Sequence, residues 1–322
     1  MKIIVTGGAG FIGSCLVRTL NDAGYSDIII VDNIVKTEKW KNMRNKQYIE
    51  YINRDEFLNR LPEFKGQVSH VIHMGACSAT TELDFDFLYK NNFECTKALW
   101  NFCVDNNCSF IYASSAATYG AGECGFDDKD DIKQLMPLNG YGYSKQLFDL
   151  WVEKQHLFPK QYVGFKFFNV YGPNEYFKGS MASVVFHAFN KISKTGKMDI
   201  FKSYKQQYAD GQQLRDFVYV KDLCKVILYM MSHDDVNGLY NLGTGNARSF
   251  YDLVSATFKA MDAEKNIGFI DMPEGLREKY QYFTEADMDK LRTAGYIEPF
   301  YTLEEGVKDY VQNYLMKDYE IY

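Results

Sequence analysis

A tyrosine and a lysine four residues apart are the first candidates for chemistry in this sequence. The segment NGYGYSKQLF contains Tyr141 and Lys145, which share one face of a predicted helix. A nearby positive charge lowers the pKa of a phenol, so Tyr141 could accept a proton from a substrate hydroxyl. The earlier segment YASSAATYG ends a predicted strand, where Ser115 or its neighbour Ser114 could hydrogen-bond the oxygen that becomes a carbonyl. The arrangement predicts oxidation of an alcohol by hydride removal.

A glycine-rich segment at the start of the chain indicates what accepts the hydride. KIIVTGGAGFIGSCLV places Gly8, Gly10 and Gly13 in G-x-G-x-x-G spacing between a predicted strand and a predicted helix, and Gly7 adds an overlapping spacing. Glycines let the backbone turn sharply and approach a pyrophosphate at the helix N-terminus. Asp32 ends the next strand, where a carboxylate can bind ribose hydroxyls. These residues predict a bound nicotinamide dinucleotide.

The residues alone leave the choice between NAD and NADP open. Asp32 is the usual mark of NAD, whereas Lys39 and Arg54 follow the next two apolar runs, where they could pair with a 2′-phosphate. A second glycine cluster, MGACS, spans Met74 to Ser78 and follows the predicted strand HVIH. We expect this cluster beside the cofactor at the carboxyl edge of the sheet.

Composition excludes several classes of protein. The 322 residues are 46% hydrophobic and 24% charged, which is typical of a globular protein, and the net charge of −6 argues against a nucleic-acid partner. No apolar run is long enough to span a membrane, and no signal peptide is recognisable, so we predict a cytoplasmic chain without a membrane partner. The seven scattered cysteines and five histidines indicate neither disulfides nor a metal site.

Strand and helix patterns alternate along the first half of the chain. This alternation predicts an α/β fold with a Rossmann-type, doubly wound parallel sheet and a smaller, mainly helical substrate-binding domain. We assign residues 1–171 to a dinucleotide-binding domain, to which a later segment of about 211–245 returns. Residues 172–210 and 246–322 form the predicted substrate-binding region. The polar segment KSYKQQYADGQQLRD is predicted to be a mobile loop, and TEADMDKLRTAG a helix.

The order and spacing of the glycine loop, strand-end acid, strand-end serine and Tyr-x-x-x-Lys resemble the extended short-chain dehydrogenase/reductases. Members that act on sugar nucleotides oxidise a sugar carbon on a tightly held cofactor and then rearrange the ketone. The resemblance argues against a 4,6-dehydratase, because Ala116 and Ala117 stand where such enzymes carry an Asp-Glu pair. A dehydrogenase and a one-tyrosine 4-epimerase stay open at this point.

Further segments, above all YFKGSMAS, resemble the branch of this family that epimerises C6″ of an ADP-linked heptose. The resemblance extends over essentially the whole chain and implies an NADP-dependent isomerase, with NAD as the alternative cofactor. Its relatives assemble as homo-oligomers, pentamers among them, and supply the heptose of lipopolysaccharide. Two departures are Met74, which replaces a common acid, and a longer loop between Phe201 and Arg215.

The closer resemblance assigns roles residue by residue. The implied catalytic residues are Tyr141, Lys178 and Ser115. The glycine motif and the resemblance together imply cofactor contacts for Gly7, Gly10, Phe11, Ile12, Gly13, Asp32, Asn33, Lys39, Arg54, Met74, Gly75, Ala76, Cys77, Ser78, Asn91, Lys145, Val170 and Lys178. The implied substrate contacts are Asn169, Ser180, His187, Phe201, Arg215 and Tyr280. Each of these residues could instead have a purely structural role. Without the resemblance, for instance, Lys178 would be interpreted as a solvent-exposed lysine in a loop.

The hypothesis from the sequence is therefore oxidation of C6″ followed by reduction of the ketone from its opposite face. If the ketone oxygen points to different sides in the two steps, one fixed tyrosine cannot serve both. Tyr141 and Lys178 would each serve one epimer. The alternatives are another nucleotide-sugar 4-epimerase or reductase, and a catalytically silent protein that senses NADP.

Overall fold

A parallel sheet of seven strands forms the centre of the protein. The computed structural model describes residues 1–277 and 280–322. The strands in chain order are β1 (Lys2–Thr6), β2 (Ile28–Asp32), β3 (Glu50–Asn53), β4 (Val68–His73), β5 (Ser109–Ser115), β6 (Gln161–Phe167), β7 (Asn169–Tyr171), β8 (Met198–Phe201), β9 (Leu214–Arg215), β10 (Phe217–Tyr219), β11 (Gly238–Leu242), β12 (Arg248–Ser249) and β13 (Ile267–Ile270). The main sheet has the order β11-β6-β5-β4-β1-β2-β3. Its neighbouring strands are all parallel.

Helices cover both faces of this sheet. In chain order, the helices of the described residues are α1 (Phe11–Asp22), α2 (Arg54–Arg60), α3 (Phe85–Leu88), α4 (Cys95–Asn106), α5 (Gly140–Val152), α6 (Val184–Thr195), α7 (Val220–Met231), α8 (Phe250–Ala260), α9 (Glu274–Arg277), α10 (Asp289–Thr293) and α11 (Leu303–Asn313). A π-helical turn, Tyr89–Glu94, joins α3 to α4. The remaining strands form three small pairs: β7 with β10, β8 with β13, and β9 with β12.

The alternation of side chains along β1 separates two hydrophobic cores. Ile3 and Val5 face the helices α1 and α7, whereas Ile4 faces α2, α4 and α5. Because both faces are covered, the central strands β1 and β2 are apolar over most of their length, as their sequences predict. The consequence for function is that α1 and α5 lie on opposite faces of the sheet.

The predicted fold class is confirmed, and most of the predicted elements are present. One predicted helix is shorter than expected: within TEADMDKLRTAG only Asp289–Thr293 is helical. The backbone N–H groups of Thr284, Ala286 and Asp287 instead donate to partners distant in sequence, at 3.3, 3.0 and 3.2 Å. These tertiary hydrogen bonds hold the segment extended. The division into two domains stays a prediction.

Candidate active site

The glycine loop is packed so tightly that side chains are excluded from it. A Cβ on Gly13 would lie 2.1 Å from the carbonyl oxygen of Gly7, and a Cβ on Gly7 would lie 2.7 Å from the backbone nitrogen of Gly75. Gly7 also has a φ of +67°, which favours glycine. Helix α1 begins at Phe11 without a side-chain cap. Its first N–H groups and dipole therefore face the cleft, as phosphate binding requires.

Asp32 already has hydrogen-bond partners on both carboxylate oxygens. Oδ2 accepts from the backbone N–H of Ala9 at 2.9 Å, and Oδ1 lies 2.6 Å from Nζ of Lys39. The first contact ties the end of β2 to the glycine loop. The second brings the Lys39 ammonium to the place where the sequence predicts the adenosine ribose.

A chain of amide groups connects the adenosine end of the cleft to helix α5. The guanidinium of Arg54 donates to Oδ1 of Asn91 at 2.9 Å, and Asn91 donates to Asn92 at 2.8 Å. Asn92 in turn donates to Ser144 and accepts from the backbone N–H of Cys77. Both asparagines lie on the π-helical turn, which directs consecutive side chains into this network.

Tyr141 and Lys145 are both enclosed in the cleft. Burial raises the pKa of Tyr141, and a hydrogen bond with Ser115 opposes that effect. The lowering predicted from the sequence is therefore not produced by the chain's own groups. Lys145 donates to the carbonyl oxygen of Ala113 at 2.9 Å, and burial lowers its pKa to about 8.

The two neighbouring serines have different partners. Ser114 donates to the carboxylate of Asp149 at 2.6 Å, beneath the cleft. The Ser115 hydroxyl instead accepts from the backbone N–H of Ala117 at 3.1 Å and lies near enough to the Tyr141 phenol to oppose the rise of its pKa. Of the two alternatives that the sequence leaves open, Ser115 therefore has its hydroxyl at the reacting end of the tyrosine.

His73 lines the cleft, although the sequence analysis did not single it out. Its Nδ1 lies 2.6 Å from the Thr6 hydroxyl, and its Nε2 lies 2.9 Å from Thr96. Thr6 accepts from the N–H of Gly75, and Thr96 donates to the carbonyl oxygen of Asn92. Because the Thr96 proton is used for Asn92, Thr96 accepts from Nε2–H, and in the neutral ring that burial favours, Nδ1 accepts from the Thr6 hydroxyl. Burial lowers the pKa of His73 to about 3.

Lys178 lies in the same cleft as Tyr141 but reaches it from another direction. Its ammonium lies 5.2 Å from the centre of the Phe11 ring, at the start of α1. Tyr141 belongs to α5, which packs on the opposite face of the sheet. Burial lowers the pKa of Lys178, and the nearby charge of Glu175 opposes that effect. Two groups able to exchange protons therefore enter one cleft from opposite sides.

The cleft has a volume of about 660 Å³, within the range of small-molecule sites. Most of the predicted site residues line it, namely Gly7, Gly10, Phe11, Ile12, Gly13, Asp32, Asn33, Lys39, Arg54, Met74, Gly75, Ala76, Ser78, Asn91, Ser115, Tyr141, Lys145, Asn169, Val170 and Lys178. Six others lie outside the lining: Cys77, Ser180, His187, Phe201, Arg215 and Tyr280. Ser180 and His187 are exposed, and Phe201 ends β8.

Arg215 and Tyr280 form a pair beyond the substrate end of the cleft. The guanidinium lies 5.1 Å from the Tyr280 ring and 5.8 Å from the ring of Phe250, which lines the cleft. It donates to the carbonyl oxygens of Leu214, at 2.8 Å, and of Gln281. In residues 1–277 and 280–322 we find no carboxylate paired with Arg215. A buried cation of this kind suits an anionic ligand.

Comparison with known proteins assigns the family. A model described as the NAD dependent epimerase/dehydratase family matches residues 3–243. The chain belongs to this family. A Fusobacterium nucleatum protein named ADP-L-glycero-D-manno-heptose-6-epimerase is 54% identical over 327 residues, covering 98% of both chains. A Nitratidesulfovibrio vulgaris protein of the same name is 52% identical over 315 residues, covering 97% of both.

Solved structures of the epimerase/dehydratase family share the fold. The crystal structure of the Helicobacter pylori ADP-L-glycero-D-manno-heptose-6-epimerase superposes with a TM-score of 0.81 at 28% identity, covering 97% of this chain and 95% of that one. The glycine loop fits the dinucleotide of this NAD-dependent family, because Gly7, Gly10 and Gly13 line the cleft and the tight turn admits no Cβ at Gly7 or Gly13. The buried amide oxygen of Asn33, unpaired within the described part of the chain, adds a free acceptor there. Across the described residues, no helix is both long and apolar enough to cross a membrane.

Proposed function

We propose that this chain is an isomerase that converts ADP-D-glycero-β-D-manno-heptose to its L-glycero epimer by inverting C6″. Support comes from the near full-length relatives, which are named for this epimerase. The observation that carries the proposal is the entry of Tyr141 and Lys178 into one cleft from elements on opposite faces of the sheet. Alanines at 116 and 117 leave no acid–base pair for water elimination at that position.

The substrate carbon is inverted through a ketone, because direct inversion would require removal of a very weakly acidic C–H proton. The glycine loop, Asp32 and Lys39 would hold the dinucleotide, which would supply hydride exchange and a positive charge that favours the Tyr141 phenolate. The phenolic oxygen takes the hydroxyl proton of one epimer, while Ser115 donates to the oxygen that becomes the carbonyl. Lys145 shares the helix face of Tyr141, and its ammonium donates to the carbonyl oxygen of Ala113.

Reduction of the opposite face needs a proton donor on the other side of the ketone. Nζ of Lys178 supplies that proton, and in the reverse direction it accepts one. Burial lowers the pKa of Lys178, so its ammonium gives up a proton more readily than that of a solvent-exposed lysine. Which of the two residues serves which epimer is settled by the experiment below.

The test compares Lys178→Met with Tyr141→Phe, each assayed with both heptose epimers. Each variant should lose epimerisation by about a hundredfold or more. Each should still oxidise one epimer to the ketone, visible as near-ultraviolet absorbance of reduced nicotinamide. Epimerisation at near wild-type rate by Lys178→Met would disprove the two-base scheme. A panel of UDP- and GDP-sugars, assayed for released epimer, separates this reaction from a 4-epimerase or reductase.

We also propose NADP as the physiological cofactor, supported by the position of Lys39 and Arg54 in the cleft. The Lys39 ammonium offsets the charge of the Asp32 carboxylate, which would otherwise repel a 2′-phosphate at the ribose end. Lys39→Ala should lower the affinity for NADP relative to NAD by about tenfold, a change of about 1.4 kcal/mol. Lys41→Ala is the matched control, because Lys41 forms a surface pair with Glu38 at 2.7 Å. Equal loss of both cofactors by Lys39→Ala would argue against NADP preference.

A further inference from the structure

Glu175 carries a buried carboxylate three residues before Lys178, and the proposed mechanism assigns it no role. Glu175 is fully buried. Its Oε2 accepts from the backbone N–H of Ser183 at 2.6 Å, and its Oε1 accepts from the Ser183 hydroxyl at 2.6 Å. Oε1 also accepts from the N–H of Gly172 at 3.4 Å. One side chain therefore connects the beginning and the end of the segment that carries Lys178.

The backbone between these two ends is fixed by the same residue. The N–H of Lys178 donates to the carbonyl oxygen of Glu175 at 3.0 Å, and the N–H of Met181 donates to the carbonyl of Lys178 at 3.1 Å. Ser183 is also the N-cap of α6, since its hydroxyl accepts from the N–H of Phe186 at 3.3 Å. These hydrogen bonds fix the backbone of Lys178 relative to the N-terminus of α6.

Burying a charged carboxylate costs desolvation free energy, and neutral hydrogen-bonding side chains could join the two ends of this segment without that cost. Burial raises the pKa of Glu175, while the hydrogen bonds from Ser183 and the charge of Lys178 oppose that rise. The reciprocal effect acts on Lys178, whose ammonium form Glu175 favours. Glu175 and Lys178 therefore influence each other's charge, in addition to the backbone hydrogen bond that joins them.

We propose that Glu175 is a positioning residue for Lys178, holding its ammonium in the cleft so that it can exchange a proton with the substrate. The inference rests on the proposed function, in which Lys178 is the second acid–base group. It predicts that Glu175 affects turnover only through Lys178, and that it has little effect on substrate binding.

The experiment is a double-mutant cycle with Glu175→Gln and Lys178→Met in the full chain with its cofactor. Glu175→Gln should lower kcat about tenfold or more while KM stays within about twofold. With one of the two epimers it should still form reduced nicotinamide, since the Tyr141 side is intact. In the Lys178→Met background, adding Glu175→Gln should change the residual kcat less than about twofold.

A matched control is Asp222→Asn, which removes another fully buried carboxylate that holds a distant backbone N–H, that of Tyr301 at 2.7 Å. It should lower stability without a comparable loss of kcat. If Glu175→Gln does not fold, Glu175→Asp, which keeps the charge but retracts it, enters the same cycle. Equal kcat losses in both backgrounds would overturn this inference alone. Near wild-type turnover by Lys178→Met would overturn the two-base scheme and this inference with it.

Discussion

The hydroxyl of Ser114 donates a hydrogen bond to the carboxylate of Asp149 at 2.6 Å. The same carboxylate accepts from the Tyr112 hydroxyl at 3.2 Å and lies 3.7 Å from the ammonium of Lys166. All four side chains are buried. Because Asp149 belongs to α5, which also carries Tyr141, this network fastens the end of β5 to the helix with the proposed catalytic tyrosine.

Replacement of Asp149 by asparagine should therefore destabilise the protein strongly. Asp149→Asn removes the ion-pair partner of Lys166 and leaves its ammonium buried, which typically costs about 3–5 kcal/mol in the free energy of unfolding. Urea denaturation measures this loss. Asp234→Asn is the control, since its pair with Lys160 at 2.8 Å is exposed and should contribute under about 1 kcal/mol. Equally small losses for both variants would contradict the prediction.

The buried His73 should make the protein less stable in acid. Its pKa is lowered to about 3, whereas an unfolded histidine titrates near 6.5, so between these values the unfolded state binds the extra proton. The stability from burying the neutral ring is complete above about pH 6.5 and is lost as the pH falls. Urea denaturation at several pH values across this range gives the free energy of unfolding as a function of pH. This free energy should change with pH less steeply in His73→Gln, by up to about 1.4 kcal/mol per pH unit.

The control for this prediction is His156→Gln, at an exposed position. This variant should keep the wild-type slope. An unchanged slope in His73→Gln would show that the ring does not stay neutral in the folded protein.

The glycine loop should not tolerate alanine at Gly13. A Cβ there would meet the carbonyl of Gly7 at 2.1 Å, so the loop must move away from helix α1. We expect Gly13→Ala to weaken dinucleotide binding about tenfold or more and to lower stability by about 1–3 kcal/mol. Isothermal titration with NADP and NAD measures the first effect. Gly275→Ala, where the added Cβ meets no atom within 4 Å, should change neither quantity substantially.

The parts of this molecule that were predictable from the sequence are those fixed by local spacing. The glycine loop between β1 and α1 follows from steric demands, and the pairing of Tyr141 with Lys145 follows from the helical repeat. The same repeat places Asp149 four residues further on the same face, so that signal was available. The role of Asp149 depends on Ser114 and Lys166, however, and only the folded chain brings these together.

Residues whose roles depend on distant partners were not predictable. His73 lies within an apolar strand and reads as a core residue, because its partners Thr6 and Thr96 are distant in sequence. The segment around Ala286 has a helical pattern, yet its N–H groups bind Asp216 and other groups elsewhere in the chain. In both cases the deciding hydrogen bonds are long-range, and a local pattern carries no information about them.

Arg215 offers a test of how the proposed substrate is held. Its guanidinium is 7% exposed, and the five N–H donors exceed the two carbonyl oxygens that accept from it. The remaining donors suit a diphosphate, which a planar guanidinium binds with two parallel hydrogen bonds. Arg215→Lys keeps the charge but loses this geometry, so KM for the nucleotide sugar should rise about tenfold with kcat within about twofold.

The matched substitution is Arg248→Lys, because Arg248 pairs with Glu304 at 2.7 Å on a more exposed part of the neighbouring strand β12. Steady-state kinetics of this control should match the wild type. A fall in kcat at unchanged KM in Arg215→Lys would instead place the guanidinium at the reacting end of the substrate. That outcome conflicts with its position next to Phe250, outside the group of residues that line the cleft with Tyr141.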